Sequence, residues 1–139
     1  MKITTKGRYG LTIMIELSRE YGKGPKSLKS IAQENDLSEH YLEQLAAPLR
    51  NAGLVKSVRG AYGGYKLAKA PDEITAGDVI RVLEGPITLV EGIENEKPAQ
   101  QALWKRMRDA IRDVLDNTTL EDLLKSDFDN TDDAYMFYI

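Results

Sequence analysis

The chain has 139 residues, enough for one domain or one domain with an appended arm. Hydrophobic residues make up 42% and charged residues 29%, an ordinary globular balance, and the absence of cysteine excludes disulfides, thiolate zinc sites and cysteine-ligated iron–sulfur clusters. The net charge of −3 conceals a split: residues 1–70 carry 12 Lys and Arg against 6 Asp and Glu, whereas residues 71–139 carry 7 against 16.

A basic first half suits contact with phosphates, and an acidic second half favours solubility and orientation. The apolar run after Lys2, Lys6 and Arg8 is broken by Glu16, and no small-residue cleavage site follows. No signal peptide is therefore expected, and no run is long enough to span a membrane. The expected location is cytoplasmic.

Thr4 or Thr5 opens a first helix reaching about Tyr21, with Gly10, Ile13, Met14, Leu17 and Tyr21 on one face. Gly22-Lys23-Gly24-Pro25 ends it. Ser27 caps a short second helix with Leu28, Ile31 and Ala32 inward. Asn35-Asp36-Leu37 makes a tight turn and Ser38 starts a third helix, whose buried stripe is Leu42, Leu45 and Leu49. Two helices joined in this way form a helix-turn-helix. Pro48 argues for a helix secure from Glu39 to Ala47 and uncertain in its last turn.

Leu54–Val58 and Tyr65–Ala68 read as two short strands, and the turn between them holds Gly60, Gly63 and Gly64 among Arg59, Tyr62 and Tyr65. Thr75 caps a fourth helix closed by Gly85-Pro86, and 87–98 reads as polar and irregular. A long helix follows from about Pro98 to Asp116. Its apolar stripe is Leu103, Met107, Ala110, Ile111, Val114 and Leu115, which suits either the chain's own domain or the same helix of a second copy. Thr118 or Thr119 caps a last short helix with Leu120, Leu123 and Leu124. Residues 127–133 form an acidic break, and the chain ends Ala-Tyr-Met-Phe-Tyr-Ile.

The expected architecture is mainly α with a small β-wing: a winged helix-turn-helix domain over 1–85, and a dimerisation helix, short helix and tail over 86–139. Catalysis has little to stand on. His40 is the single histidine, no nucleophile stands with a base, and no metal site or cofactor is expected. The glycine-rich turn lacks the P-loop pattern and lies outside any βαβ unit, so a nucleotide-handling enzyme is disfavoured.

The residues fit DNA better. Lys6, Arg8 and Tyr9 can hold phosphates. Ser38, His40, Tyr41, Glu43 and Gln44 lie at the helix start that enters a major groove, with Arg50 further along. Gln44 can pair with adenine, and Glu43 can accept from cytosine N4. Arg59 and Tyr62 belong to the wing, where Arg59 can enter a minor groove. The expected partner is a palindromic duplex bound by a homodimer. A winged-helix adaptor that binds only protein is the alternative.

Thr-Lys-Gly-Arg-Tyr-Gly (5–10), Leu-Ser-Glu-His-Tyr-Leu-Glu-Gln-Leu (37–45), Leu-Arg-Asn-Ala-Gly-Leu-Val (49–55) and Val-Arg-Gly-Ala-Tyr-Gly-Gly-Tyr (58–65) resemble the Rrf-two (Rrf2) family of winged-helix repressors. The likeness continues through Thr-Ala-Gly-Asp-Val-Ile (75–80), Ala-Leu-Trp (102–104) and Asn-Thr-Thr-Leu (117–120). It implies a homodimer bridged by long helices and a palindromic site. Many members sense through a cluster on three cysteines in the loop before the long helix, and loop 87–98 has none. The cysteine-free loop and the ending Tyr-Met-Phe-Tyr-Ile resemble the family's cysteine-metabolism repressors. That resemblance implies repression of sulfur-uptake and cysteine-synthesis genes, with cysteine synthase (O-acetylserine thiol-lyase) as co-repressor.

The resemblance assigns the partner contact to Tyr138 and Ile139, with Ile139 mimicking the terminal isoleucine of serine acetyltransferase. Capture of a free chain end is a known recognition mode. Tyr135, Phe137 and Ile139 equally suit a final strand packed on the protein.

Overall fold

The computed structural model describes residues 2–127. The chain runs α1 (Thr5–Arg19), α2 (Leu28–Asn35), α3 (Glu39–Asn51), β1 (Val55–Val58), β2 (Gly64–Leu67), α4 (Ala76–Glu84) and α5 (Pro98–Asp116). A further helix, α6, covers 120–127. Mainly helical with one small antiparallel hairpin, it is the winged-helix architecture expected.

Each early helix begins on a hydroxyl cap. Thr4 accepts from the Lys6 N–H, Ser27 from that of Ser30, and Ser38 from that of Tyr41. These bonds satisfy donors that an open helix start would leave bare. Helix α1 is shorter than its apolar pattern suggests. It stops at Arg19, and Tyr21 is 51% exposed instead of inward. Residues after Arg19 form a turn through left-handed Gly22 and Gly24, so helical spacing no longer governs where Tyr21 points.

Pro48 does not shorten α3, which continues to Asn51. The lost backbone bond and the ring's clash cost about 3 kcal/mol in a free helix. Leu45, Ala46 and Leu49 are buried on either side of it. Full burial of one leucine alone returns about 1.5–3 kcal/mol, so packing carries the helix past the proline.

The core joins the N-terminal helices to the last described helix. Ile13, Met14, Leu17, Ile31, Leu42, Leu49, Ile74 and Val79 form one cluster, and Leu120 from α6 is sealed inside it. Ala76 N–H donates to Thr118 at 2.7 Å, and Leu120 N–H to Ile74 at 2.9 Å. After α5 the chain therefore returns to the start of α4. Gly77 permits that approach: a Cβ there would stand 2.6 Å from the Asp116 carboxylate and 3.2 Å from the Leu115 carbonyl.

Candidate nucleic-acid interface

Two helix starts meet on one surface. The Tyr9 ring of α1 and the Tyr41 ring of α3 pack edge to face, with centroids 5.9 Å apart at 86°. The Tyr41 hydroxyl lies 3.0 Å from Thr5 Oγ1. Ser38 caps α3 through the same tyrosine's N–H at 3.3 Å. Tyr41 thus ties the α3 cap, the α1 start and Tyr9 into one unit. Tyr9 and Tyr41 are half-buried, while Lys6, Arg8, Ser38, His40, Glu43, Gln44 and Arg50 are exposed around them. Gln44 Nε2 lies 3.3 Å from His40 Nε2, one helical turn away, so these two groups present as a pair.

The wing is built from three pieces of chain. β1 and β2 pair from Val55↔Leu67 to Val58↔Gly64. Lys26 adds a single rung from the third piece, exchanging two 2.9 Å backbone bonds with Tyr65. Sequence reading missed this rung, because a single bridging residue leaves no alternation to detect. Gly64 makes it possible, since a Cβ there would collide with the Lys26 carbonyl. Arg59 and Tyr62 are exposed at the wing tip, and Tyr62 at 96% is almost wholly in solvent.

Glu84 is a second feature absent from the sequence reading. From the last turn of α4 its carboxylate accepts from the Thr4 hydroxyl at 2.5 Å, the Thr4 N–H at 2.8 Å and the Gly7 N–H at 3.0 Å. The Thr4 hydroxyl bond, the two N–H bonds and the Lys6 charge together hold its pKa below the usual glutamate range, against a smaller opposing effect of burial. The beginning of α1, where Lys6 and Arg8 project, is therefore anchored to α4 by a charge. A contact between positions 80 apart gives no local signal.

Helix α5 has no buried residue. Leu103, Met107, Ala110 and Val114 are exposed, whereas Ile111 and Leu115 are half-buried. Arg81 of α4 pairs with Asp116 at 2.6 Å near the end of α5. The loop before α5 differs from its polar reading: Ile87 is buried, and Leu89, Val90 and Ile93 are half-buried. Its acidic residues drew attention away from this apolar set. Tyr138 and Ile139 lie outside the described residues, as do 128–137.

The Rrf2 family model, an iron-dependent transcriptional regulator, matches residues 3–126. The HTH-type transcriptional regulator CymR of Bacillus subtilis is 70% identical over 139 residues, covering all of both chains. The HTH-type transcriptional regulator IscR of Pectobacterium carotovorum is 38% identical, covering 91% of this chain and 80% of that relative. Among solved structures, CymR (YrzC), the global cysteine regulator of B. subtilis, superposes with a TM-score of 0.86 at 71% identity, covering 91% of this chain and 98% of the other. Among the described residues, the iron of the family description finds no donor set. The chain has no cysteine, and the described residues contain no group of three or more His, Asp or Glu placed to hold a metal.

Proposed function

The chain belongs to the Rrf2 family of transcriptional regulators, and from that premise we propose a sequence-specific DNA-binding repressor of cysteine and sulfur metabolism genes, acting as a homodimer with cysteine synthase as co-repressor. One observation carries the DNA reading: the Tyr9–Tyr41–Thr5 lock fixes two helix starts side by side and leaves their polar and basic groups in solvent. Lys6 and Arg8 hold phosphates, and Tyr9 and Tyr41 set the angle between holder and reader. Ser38, His40, Glu43 and Gln44 face base edges, with Arg50 toward the flanking backbone. Glu43 repels phosphate, so it favours a register in which it accepts from a base. Arg59 and Tyr62 reach the neighbouring groove from the wing.

The regulated genes are inferred from the CymR relative, identical at 70% of positions across its whole length. Dimerisation through Leu103, Met107, Ala110, Ile111, Val114 and Leu115 follows from an apolar stripe left largely uncovered in one copy. The co-repressor reading rests on the likeness of the closing residues Tyr138 and Ile139 to a captured isoleucine end, a known recognition mode.

Anisotropy titration of a labelled palindromic duplex over a salt series tests the DNA part. Lys6→Ala weakens binding evenly across sequences and reduces the salt slope by about 1. Arg59→Ala weakens operator binding as well. Unchanged affinity in both variants refutes the assigned surface, and failure of the parent chain to bind any palindrome at low salt leaves the adaptor. Deleting Ile139 abolishes capture of cysteine synthase while sparing dimer formation. Normal pull-down by the shortened chain refutes the tail assignment.

A further inference from the structure

The hairpin and the end of α1 border an open groove of about 480 Å³. Leu17, Tyr21 and Leu67 give it an apolar side. Lys56 and Lys66 line it from the hairpin, and Glu20 is the single carboxylate in its lining. The two lysines are direct cross-strand partners, and both are exposed. Neither enters an ion pair among the described residues. Like charges set directly opposite each other destabilise a strand pair. An anionic group placed between them relieves that repulsion.

The groove stands apart from the surface assigned to the duplex. Helix α1 has 15 residues and is about 22 Å long, and the groove lies at the far end from Lys6 and Arg8. Lys56↔Lys66 is also two pairs in from Val58↔Gly64, where the wing tip begins.

The last described residue lies beside this groove. Arg19 Nη2 donates to the Asp127 carboxylate at 2.7 Å, and Glu20 and Tyr21 of the groove directly follow Arg19. The sequence after Asp127 carries Asp129, Asp132 and Asp133 and no Lys or Arg. An extended chain covers about 3.3–3.6 Å per residue, so the stretch from Asp127 to Asp133 spans up to about 20 Å. We propose that the groove is the seat of this chain's own acidic segment 129–133, its carboxylates held by Lys56 and Lys66. The seat fastens the tail to the base of the wing that carries Arg59 and Tyr62. Tyr138 and Ile139 lie beyond it and stay available to a partner.

The chain has no cysteine, so Ala134→Cys offers one attachment point for a nitroxide beside the acidic segment. Paramagnetic broadening of amide signals is read on the full-length protein. Broadening is strongest over residues 20–24 and 66–68, and it is lost there in Lys56→Glu with Lys66→Glu. That variant still sets two like charges opposite each other, so the hairpin carries a similar repulsion. High salt removes the same broadening from the chain with both lysines intact, because the contact is between exposed charges. Absence of broadening at these residues overturns the seat. Broadening that survives both charge reversal and high salt overturns the role of the lysines. Broadening seen only when nitroxide chains are mixed with isotope-labelled, nitroxide-free chains gives the groove to the tail of a second copy and overturns the assignment to the chain's own. Displacement by a short DNA duplex gives the lysines to phosphate and overturns it as well.

Discussion

The Glu84 carboxylate carries a pH dependence whose sign follows from its surroundings. Bonds from Thr4 and Gly7 favour the ionised form, so the folded chain holds this proton only below the usual glutamate pKa of 4.5. Between the folded and unfolded values the unfolded chain binds more protons, and stability rises with pH there. The contribution is complete above pH 4.5 and is lost as pH falls through the folded-state value. Glu84→Gln keeps the shape and removes the charge. Urea unfolding across an acid series then shows the variant less stable at neutral pH, with the gap to the parent closing in acid. A constant gap at every pH excludes ionisation of Glu84 as its origin. Because the bonds end on α1, the variant also loosens the placement of Lys6 and Arg8, and operator affinity falls modestly with no new sequence preference.

The hairpin stands or falls on one close approach. Gly64 has φ 152°, and its missing Cβ leaves room for the Lys26 carbonyl. Gly64→Ala forces the Lys26–Tyr65 rung apart, at the about 1–3 kcal/mol typical of inserted bulk. A fall in the urea midpoint together with weaker operator binding is expected. An unchanged midpoint would show that the rung carries no stability. Elements of this kind mark the limit of what the sequence discloses. Ser27, Ser38 and Thr75 announce their helices because a cap is a local bond, and Leu42, Leu45 and Leu49 announce a buried face because helical spacing is local too. The exposed polar side chains near the α3 start were readable for the same reason. The Lys26 rung and the Glu84 anchor join segments far apart in the chain, and each depends on the finished packing. Pro48 shows the same limit in reverse: a strong local breaker is overruled by Leu45 and Leu49 in the core.

Across the whole molecule, the basic excess in residues 1–70 belongs to the helix-turn-helix and wing, and the acidic excess lies beyond them. On the proposed function, that asymmetry would orient one copy on a duplex but supply only one reading helix. In the proposed dimer, two copies joined through α5 would hold two readers at a fixed separation, which would make the second contact nearly unimolecular. The exposed part of the α5 stripe is where this arrangement is vulnerable. Met107 is 42% exposed and Val114 63% exposed, so both lie outside the buried core of one copy. A carboxylate at both positions places like charges in the joint while leaving the core untouched. Met107→Asp with Val114→Asp therefore sediments as a monomer, and each exposed substitution alters unfolding free energy by about 0.5 kcal/mol or less. Affinity for the full palindrome drops by about 10²–10⁴, the advantage that linkage confers, whereas binding to an isolated half-site is unchanged. A variant that remains dimeric would move the joint elsewhere on the surface. A monomer that binds the palindrome as tightly as the parent would detach dimerisation from operator recognition altogether.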